Sequence, residues 1–153
     1  VLKVCIWTPD KDLAQCVRED RVVQIDRRAG VIRDADAVSK KFGVSPALIP
    51  DFLALVGDSA DGYPGISGIG KIGAAQLLNQ YGPIEDFPEQ VLKGRREQAL
   101  LFKRLATLRT DARLFSDVDQ LRWRGPTSAF AKLTTKLGDP RLLPRANAAA
   151  AKS

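Results

Sequence analysis

The chain has 153 residues, 44% hydrophobic and 27% charged, a balance that suits one soluble globular domain, or one and a small appendage. It holds no histidine and two cysteines, Cys5 and Cys16, which excludes a Ser-His-Asp triad, a Cys-His pair, a four-thiolate metal site and a disulfide framework. Twenty-four Lys and Arg against 18 acids leave a net charge of +6, which points to an anionic partner such as nucleic acid; a surface charged only for solubility accounts for it equally well. Any metal must be held by oxygen ligands, which favours Mg²⁺, Mn²⁺ or Ca²⁺. No apolar run approaches the ~18 residues of a membrane span, and no leader pattern opens the chain. With few cysteines, this predicts a cytoplasmic location and no membrane partner. Methionine is absent, and Val1 runs at once into apolar sequence, so the beginning of the protein is expected to lie elsewhere.

Leu2 to Trp7 is a short apolar run that reads as a buried strand, and Asp12 to Val17 as a short helix. Val22 to Ile25 and Val31-Ile32 read as two strands joined by a turn over Arg27 to Gly30. Asp34 is placed to cap a helix that ends at Phe42, with Gly43 beyond its last turn. After this point strand signals vanish. Pro46 and Pro50 suit first helical turns, and Pro50 to Val56 forms a compact apolar helix closed by Gly57. Residues 61–70 are rich in glycine, and Lys71 to Tyr81 follows with Ala75, Leu78 and Tyr81 at helical period. Gly82-Pro83 breaks that helix. Arg95 to Leu108 is amphipathic, with Leu101, Leu105 and Leu108 on one face and Arg96, Lys103 and Arg104 elsewhere. A helix over Ser128 to Leu137 and a fraying low-complexity tail from Ala146 to Ser153 complete the chain. The pattern divides into an α/β segment over residues 1–43, a helical segment over 44–145 and a tail over 146–153.

The run Gly65-Ile66-Ser67-Gly68-Ile69-Gly70-Lys71 satisfies several motifs. Gly68, Gly70 and Gly73 match G-x-G-x-x-G, but that fingerprint has meaning only after a strand, and Asp61 to Pro64 cannot be a central strand. Gly65 to Lys71 fits most of a P-loop, yet Ile72 stands where a Mg²⁺-binding hydroxyl is needed. Helices on both sides suit a helix-hairpin-helix. In it Ile66 and Ile69 anchor the turn, Gly68 and Gly70 let backbone approach a phosphate, and Lys71 adds a cation at the helix start. Such binding holds the sugar-phosphate backbone, so it is sequence-independent and salt-sensitive. An ordinary interhelical turn is the plainer alternative.

Four aspartates flank these elements. Asp10 and Asp12 follow the first strand; Asp58 and Asp61 lie three apart after the Pro50 helix, on one face if a helical turn continues. Asp10 or Asp12 as a cap and Asp58 in an Asx turn are the plain roles. Taken together beside a phosphate-binding hairpin, they suggest Mg²⁺ ligands for phosphodiester hydrolysis.

Thr8-Pro9-Asp10-Lys11-Asp12-Leu13-Ala14-Gln15 resembles the T-x-D-[KR]-D-L-x-Q segment of the 5′-3′ exonuclease and flap endonuclease family, which includes the nuclease domain of bacterial DNA polymerase I. Asp51 to Gly70 resembles the family's D-x-x-A-L-x-G-D-x-S-D-N-x-P-G-x-x-G-I-G signature, and Leu105 to Asp111 a further segment. The resemblance implies part of a PIN-like nuclease sheet followed by an all-α helix-hairpin-helix segment. It implies Asp10, Asp12, Asp58 and Asp61 as catalytic ligands of two Mg²⁺ or Mn²⁺ ions. Gly65, Ile66, Ser67, Gly68, Ile69, Gly70 and Lys71 become the clamp on duplex DNA bearing a 5′ end or flap, in some members with K⁺ on backbone carbonyls. Pro9, Gly62 and the pair Ile72-Gly73 depart from the family pattern. The family's first acids and its basic arch lie upstream of the segment matching Val1. The chain is therefore expected to be the C-terminal portion of such a domain, its partner the N-terminal part, or else a non-catalytic DNA-binding fragment or a degenerate family member lacking the upstream metal ligands.

Overall fold

The computed structural model describes residues 2–152; Val1 and Ser153, the outermost residues of the α/β segment and of the tail, lie outside the described residues. Contacts divide the chain after Thr110 into two compact units.

The first unit opens with a three-stranded sheet. β1 (Val4–Ile6) pairs parallel with β2 (Val22–Asp26), and β2 pairs antiparallel with β3 (Val31–Arg33), Ile25 facing Ile32. The parallel pair needs a crossover, here carried by a 3₁₀ turn over Asp12–Cys16. In the hairpin, the Ala29 N–H donates to Asp26 Oδ1 at 3.0 Å, and Arg33 reaches Asp26 at 3.3 Å. β1 departs from the expectation of a buried strand: Leu2, Val4 and Trp7 are exposed. It is the edge of the described sheet, with β2 as its one neighbour there, and its apolar composition does not report that position.

Asp34 caps α1 (Ala35–Phe42) by accepting the Ala37 N–H at 2.8 Å, and Gly43 closes it in the left-handed conformation. Pro46 opens a 3₁₀ turn, and Pro50 lies in the first turn of α2 (Ile49–Val56). From Ile49 to Leu55 every residue of α2 is buried, which explains a sequence without a polar face. α3 (Lys71–Tyr81) and α4 (Arg96–Ala106) pack against it. One polar side chain is sunk in α2. Asp51 accepts the Ile84 N–H at 2.9 Å and meets Lys103 Nζ of α4 at 2.8 Å. A buried carboxylate needs such partners.

α4 does not bury the face its leucines suggest. Leu101, Leu105 and Leu108 are exposed, while Ala99, Phe102 and Ala106 are buried, with Phe102 stacked on Tyr63 at a ring separation of 5.6 Å. The basic residues of this helix are largely engaged. Arg96 donates to the Phe87 and Glu85 carbonyls, Arg95 to those of Leu92 and Ser67, and Lys103 also pairs with Glu85.

Among the described residues no strand leads directly into Gly65. Past α2 the described backbone makes one bridge, Asp58 with Tyr63, so neither a dinucleotide fingerprint nor a P-loop has its supporting strand.

The second unit holds a 3₁₀ turn over Val118–Leu121, α5 (Ser128–Lys136) and α6 (Leu142–Ala150). The tail expected from Ala146 onward instead continues α6 as far as Ala150, since alanine is the strongest helix former. Among the described residues no helix is long and apolar enough to cross a membrane.

Candidate active site

Gly57 ends α2 in a conformation open only to glycine, φ +90°, and Gly65 answers it at φ +73°. A methyl on Gly65 would lie 2.4 Å from the Gly57 nitrogen, so the two backbones touch where no side chain fits. The Ile66 N–H then donates to the Leu55 carbonyl at 2.8 Å, locking residues 57–66 into a closed loop.

Within this loop Asp58 and Tyr63 exchange backbone hydrogen bonds of 2.8 and 3.1 Å, and Asp58 Oδ1 accepts the Ala60 N–H at 3.0 Å. The helical turn expected to align Asp58 and Asp61 is therefore replaced by an Asx turn inside a tight loop. It brings both carboxylates to Asp12: each of the three offers an oxygen, and these lie within 4.8 Å of one another. Asp10 is outside this group. Its carboxylate accepts the Asp12 N–H at 3.2 Å, and its own N–H donates to Thr8 Oγ1. Buried Gln24 on β2 holds the Asp10 carbonyl. Gln15 joins the crossover to α4, donating to the Ala106 carbonyl at 2.9 Å and accepting from the Leu108 N–H.

The electrostatics are those of crowded like charges. Burial, a hydrogen bond shared with Asp61 and the charge of Asp10 push the Asp12 carboxyl up to about 6. Its buried Oδ1 has no hydrogen-bond partner. Burial also works to raise Asp58, but Lys11, whose Nζ lies 2.6 Å from Asp58 Oδ2, and the Ala60 N–H bring it below the usual carboxylate range. The same hydrogen bond raises Lys11. Burial, with the three aspartates, pushes the Tyr63 hydroxyl up to about 12, and that hydroxyl too is buried and unpartnered. A cleft of about 510 Å³ lined by Asp58, Ser59 and Gly62 opens beside the group. Lys11 and Tyr63 were not singled out in sequence; the signal for Lys11 was its place between the two aspartates of one motif.

In the glycine-rich run, Gly65 and Ile66 are buried and structural, Ile69 is half-buried, and Ser67, Gly68, Gly70 and Lys71 are exposed. A methyl added to Gly68, Gly70 or Gly73 would meet nothing within 4 Å. Gly70 precedes α3 with no side-chain cap, leaving the first-turn N–H groups facing outward. Gly62, where the family carries Asn, sits at φ +80°, a region that Asn enters more readily than other side chains.

The family model described as "5′-3′ exonuclease, C-terminal SAM fold" matches residues 44–129. The chain belongs to the 5′-3′ exonuclease family. DNA polymerase I of Pseudomonas aeruginosa is 38% identical over 136 residues, covering 77% of this chain and 15% of that protein. The 5′-3′ exonuclease of Aquifex aeolicus is 37% identical over 142 residues, covering 88% and 48%. Flap endonuclease Xni of Cronobacter sakazakii is 37% identical over 102 residues, covering 60% and 41%. The chain thus spans less than half the length of each of these family members. In fold it is similar to bacteriophage T5 5′-exonuclease with zinc bound as divalent metal ion, at a TM-score of 0.62 and 17% identity, covering 69% of this chain and 43% of that one. The same score, at 16% identity and the same coverage, relates it to T5 flap endonuclease in a pseudo-enzyme-product complex with DNA and metal ions. These likenesses establish the family's sheet-then-helices architecture for the chain.

Proposed function

We propose that this chain is the C-terminal part of a metal-dependent 5′-3′ DNA nuclease that hydrolyses phosphodiester bonds at 5′ ends or flaps. The observation that carries the proposal is the meeting of Asp12 with Asp58 and Asp61, from two separate stretches, with oxygens within 4.8 Å of one another. Family membership, and relatives named as exonuclease and flap endonuclease, support it.

The residues fit a hard divalent cation. Of the three grouped carboxylates, Asp58 pairs with Lys11, and Asp12 Oδ1 is buried without a partner. An all-oxygen donor set suits Mg²⁺ or Mn²⁺. When bound, one or two such ions supply an activated water and charge neutralisation at the phosphodiester. Asp12, Asp58 and Asp61 hold the cation; Asp10 fixes the Asp12 backbone and adds negative charge. Lys11 keeps Asp58 ionised. Ser67 to Lys71, with the open first turn of α3, bind the duplex backbone without reading bases. Arg95 donates to the Ser67 carbonyl at 2.8 Å, so a K⁺ there would share its ligand with a guanidinium, and nothing in this chemistry requires it. The N-terminal part of the same domain is the partner that would add further acids.

Incubation with 5′-flapped duplex and Mg²⁺, beside Asp58→Asn, tests this. Asparagine keeps the acceptor for the Ala60 N–H but not the charge. Cleavage should fall by ~100-fold or more, beyond what outer-shell partners of a metal contribute. Equal cleavage by both proteins removes the metal role. Because the chain spans under half of its relatives, duplex binding without cleavage by either protein would assign it to binding alone.

A further inference from the structure

A cavity of about 290 Å³ has Lys11, Lys41 and Lys71 in its wall over a floor that includes Phe42, Phe52 and Val56, and no carboxylate lines it. The three lysines come from the β1–β2 crossover, the last turn of α1 and the first turn of α3, so the chain folds three distant cations onto one hollow. Lys11 is the one already paired, to Asp58. Among the described residues Lys41 and Lys71 have no carboxylate within 4.0 Å; the nearby Asp26 is taken by Arg33 at 3.3 Å. Lys41 Nζ lies 4.9 Å from the Phe42 ring centre. Its ammonium is held below the usual lysine range, first by desolvation against the cavity wall, then by the cations of Arg33 and Lys71, with Asp26 opposing. Unbalanced cations beside an apolar floor repel one another and gain most from an anion that enters. The uncapped start of α3 adds outward N–H groups next to Lys71.

We propose that this cavity seats one backbone phosphate of the bound DNA, gripped by Lys41 and Lys71. Lys11 lines the cavity and also pairs with Asp58, so the seated phosphate would lie beside the aspartate group. The proposal rests on the DNA-binding function above and adds to it a position, Lys41, that lies outside both the aspartate group and the glycine-rich turn.

Binding of a fluorescent 5′-flapped duplex by the full chain, followed by anisotropy over a series of KCl concentrations with Ca²⁺ in place of Mg²⁺, decides it. Each phosphate contact contributes roughly 0.9 to the slope of log K against log salt. Lys41→Ala should flatten the slope by about one unit, Lys41→Arg should restore it, and Lys40→Ala, one residue away and outside the cavity, should leave it unchanged. An unaltered slope in Lys41→Ala, or equal losses at Lys40 and Lys41, overturns the cavity assignment while the wild-type slope upholds DNA binding. No salt-dependent binding by the wild type overturns both. Melting in inorganic phosphate against chloride at equal ionic strength separates the two sources of phosphate. A submillimolar stabilisation lost in Lys41→Ala marks a site for free phosphate and overturns the assignment to DNA.

Discussion

The two ends of the loop between α2 and α3 use glycine for opposite purposes. At the closed end, Gly57 and Gly65 stand at positive φ with backbone atoms where a methyl would have to go. At the open end, Gly70 and Gly73 have φ values that any residue adopts, and a methyl on either would touch nothing within 4 Å. Packing accounts for the first pair and not for the second. A glycine that the fold does not need, on an exposed helix start beside a lysine, is what the proposed approach of a duplex backbone requires. The comparison separates glycines that the packing of the loop requires from glycines that it does not, although both belong to one motif.

The largest effect should come at the closed end. Gly65→Ala forces a methyl into the Gly57 backbone at positive φ and should cost ~3 kcal/mol or more, read as a collapse of the melting temperature. Gly70→Ala meets no atom and should cost no more than the ~1 kcal/mol of alanine at a helix N-cap, and weaken duplex binding instead. Matching losses of stability at both positions would erase the distinction.

Next in size is the buried pair beneath the loop. Lys103→Met leaves the Asp51 carboxylate without its cation and should cost ~3 kcal/mol, most of it recovered by adding Asp51→Asn, which still accepts the Ile84 N–H. Burial alone would lower Lys103, but its hydrogen bonds to Asp51 and Glu85 prevail and raise it. The stabilisation from a raised lysine is fully present below the unfolded lysine range and is lost as pH climbs through the raised folded-state value, so the wild-type advantage over Lys103→Met should shrink in strong alkali.

The site itself should behave in the opposite sense. Asp12 sits at about 6, pushed up by burial, by Asp61 and by Asp10, above the unfolded aspartate value of roughly 3.9. Its ionisation therefore costs stability, fully above pH 6 and not at all below the unfolded value. In EDTA at pH 8, Asp12→Asn should melt higher by ~1–2 kcal/mol, partial exposure limiting the effect, and the gain should vanish near pH 3.5. Mg²⁺ should close the gap by stabilising the wild type alone. A variant no more stable than wild type in EDTA would show that the carboxylates do not strain one another.

How much of this was legible in sequence follows the range of the interaction responsible. Local signals held: Asp34 as a cap, Pro50 in a first turn, Gly43 and Gly57 as helix ends, because each acts within a few residues. Of the four aspartates that stand out in the motifs, Asp12, Asp58 and Asp61 come together and Asp10 does not, and a bridge to Tyr63, not a helical turn, carries Asp58 and Asp61 there. Long-range pairings were invisible. Neither Leu101 nor Leu105 shows in sequence that α4 will turn Ala99, Phe102 and Ala106 inward, with Lys103 paired to Asp51 of another helix, and leave the leucines exposed. The same holds for the apolar β1, whose burial depends on neighbours and not on its own composition.

The smallest prediction cuts most finely. Gly73 lies inside α3, where glycine is less favourable than alanine by ~0.8–1 kcal/mol, and an added methyl meets no atom of the protein. Gly73→Ala should therefore raise the melting temperature slightly. If the open face is where the duplex backbone comes close, the same methyl stands between helix and strand, and affinity for the flapped duplex should fall severalfold while stability rises. A protein that gains stability and loses binding from one methyl group has that surface pressed against its ligand; one that gains stability and binds as before has its contact elsewhere.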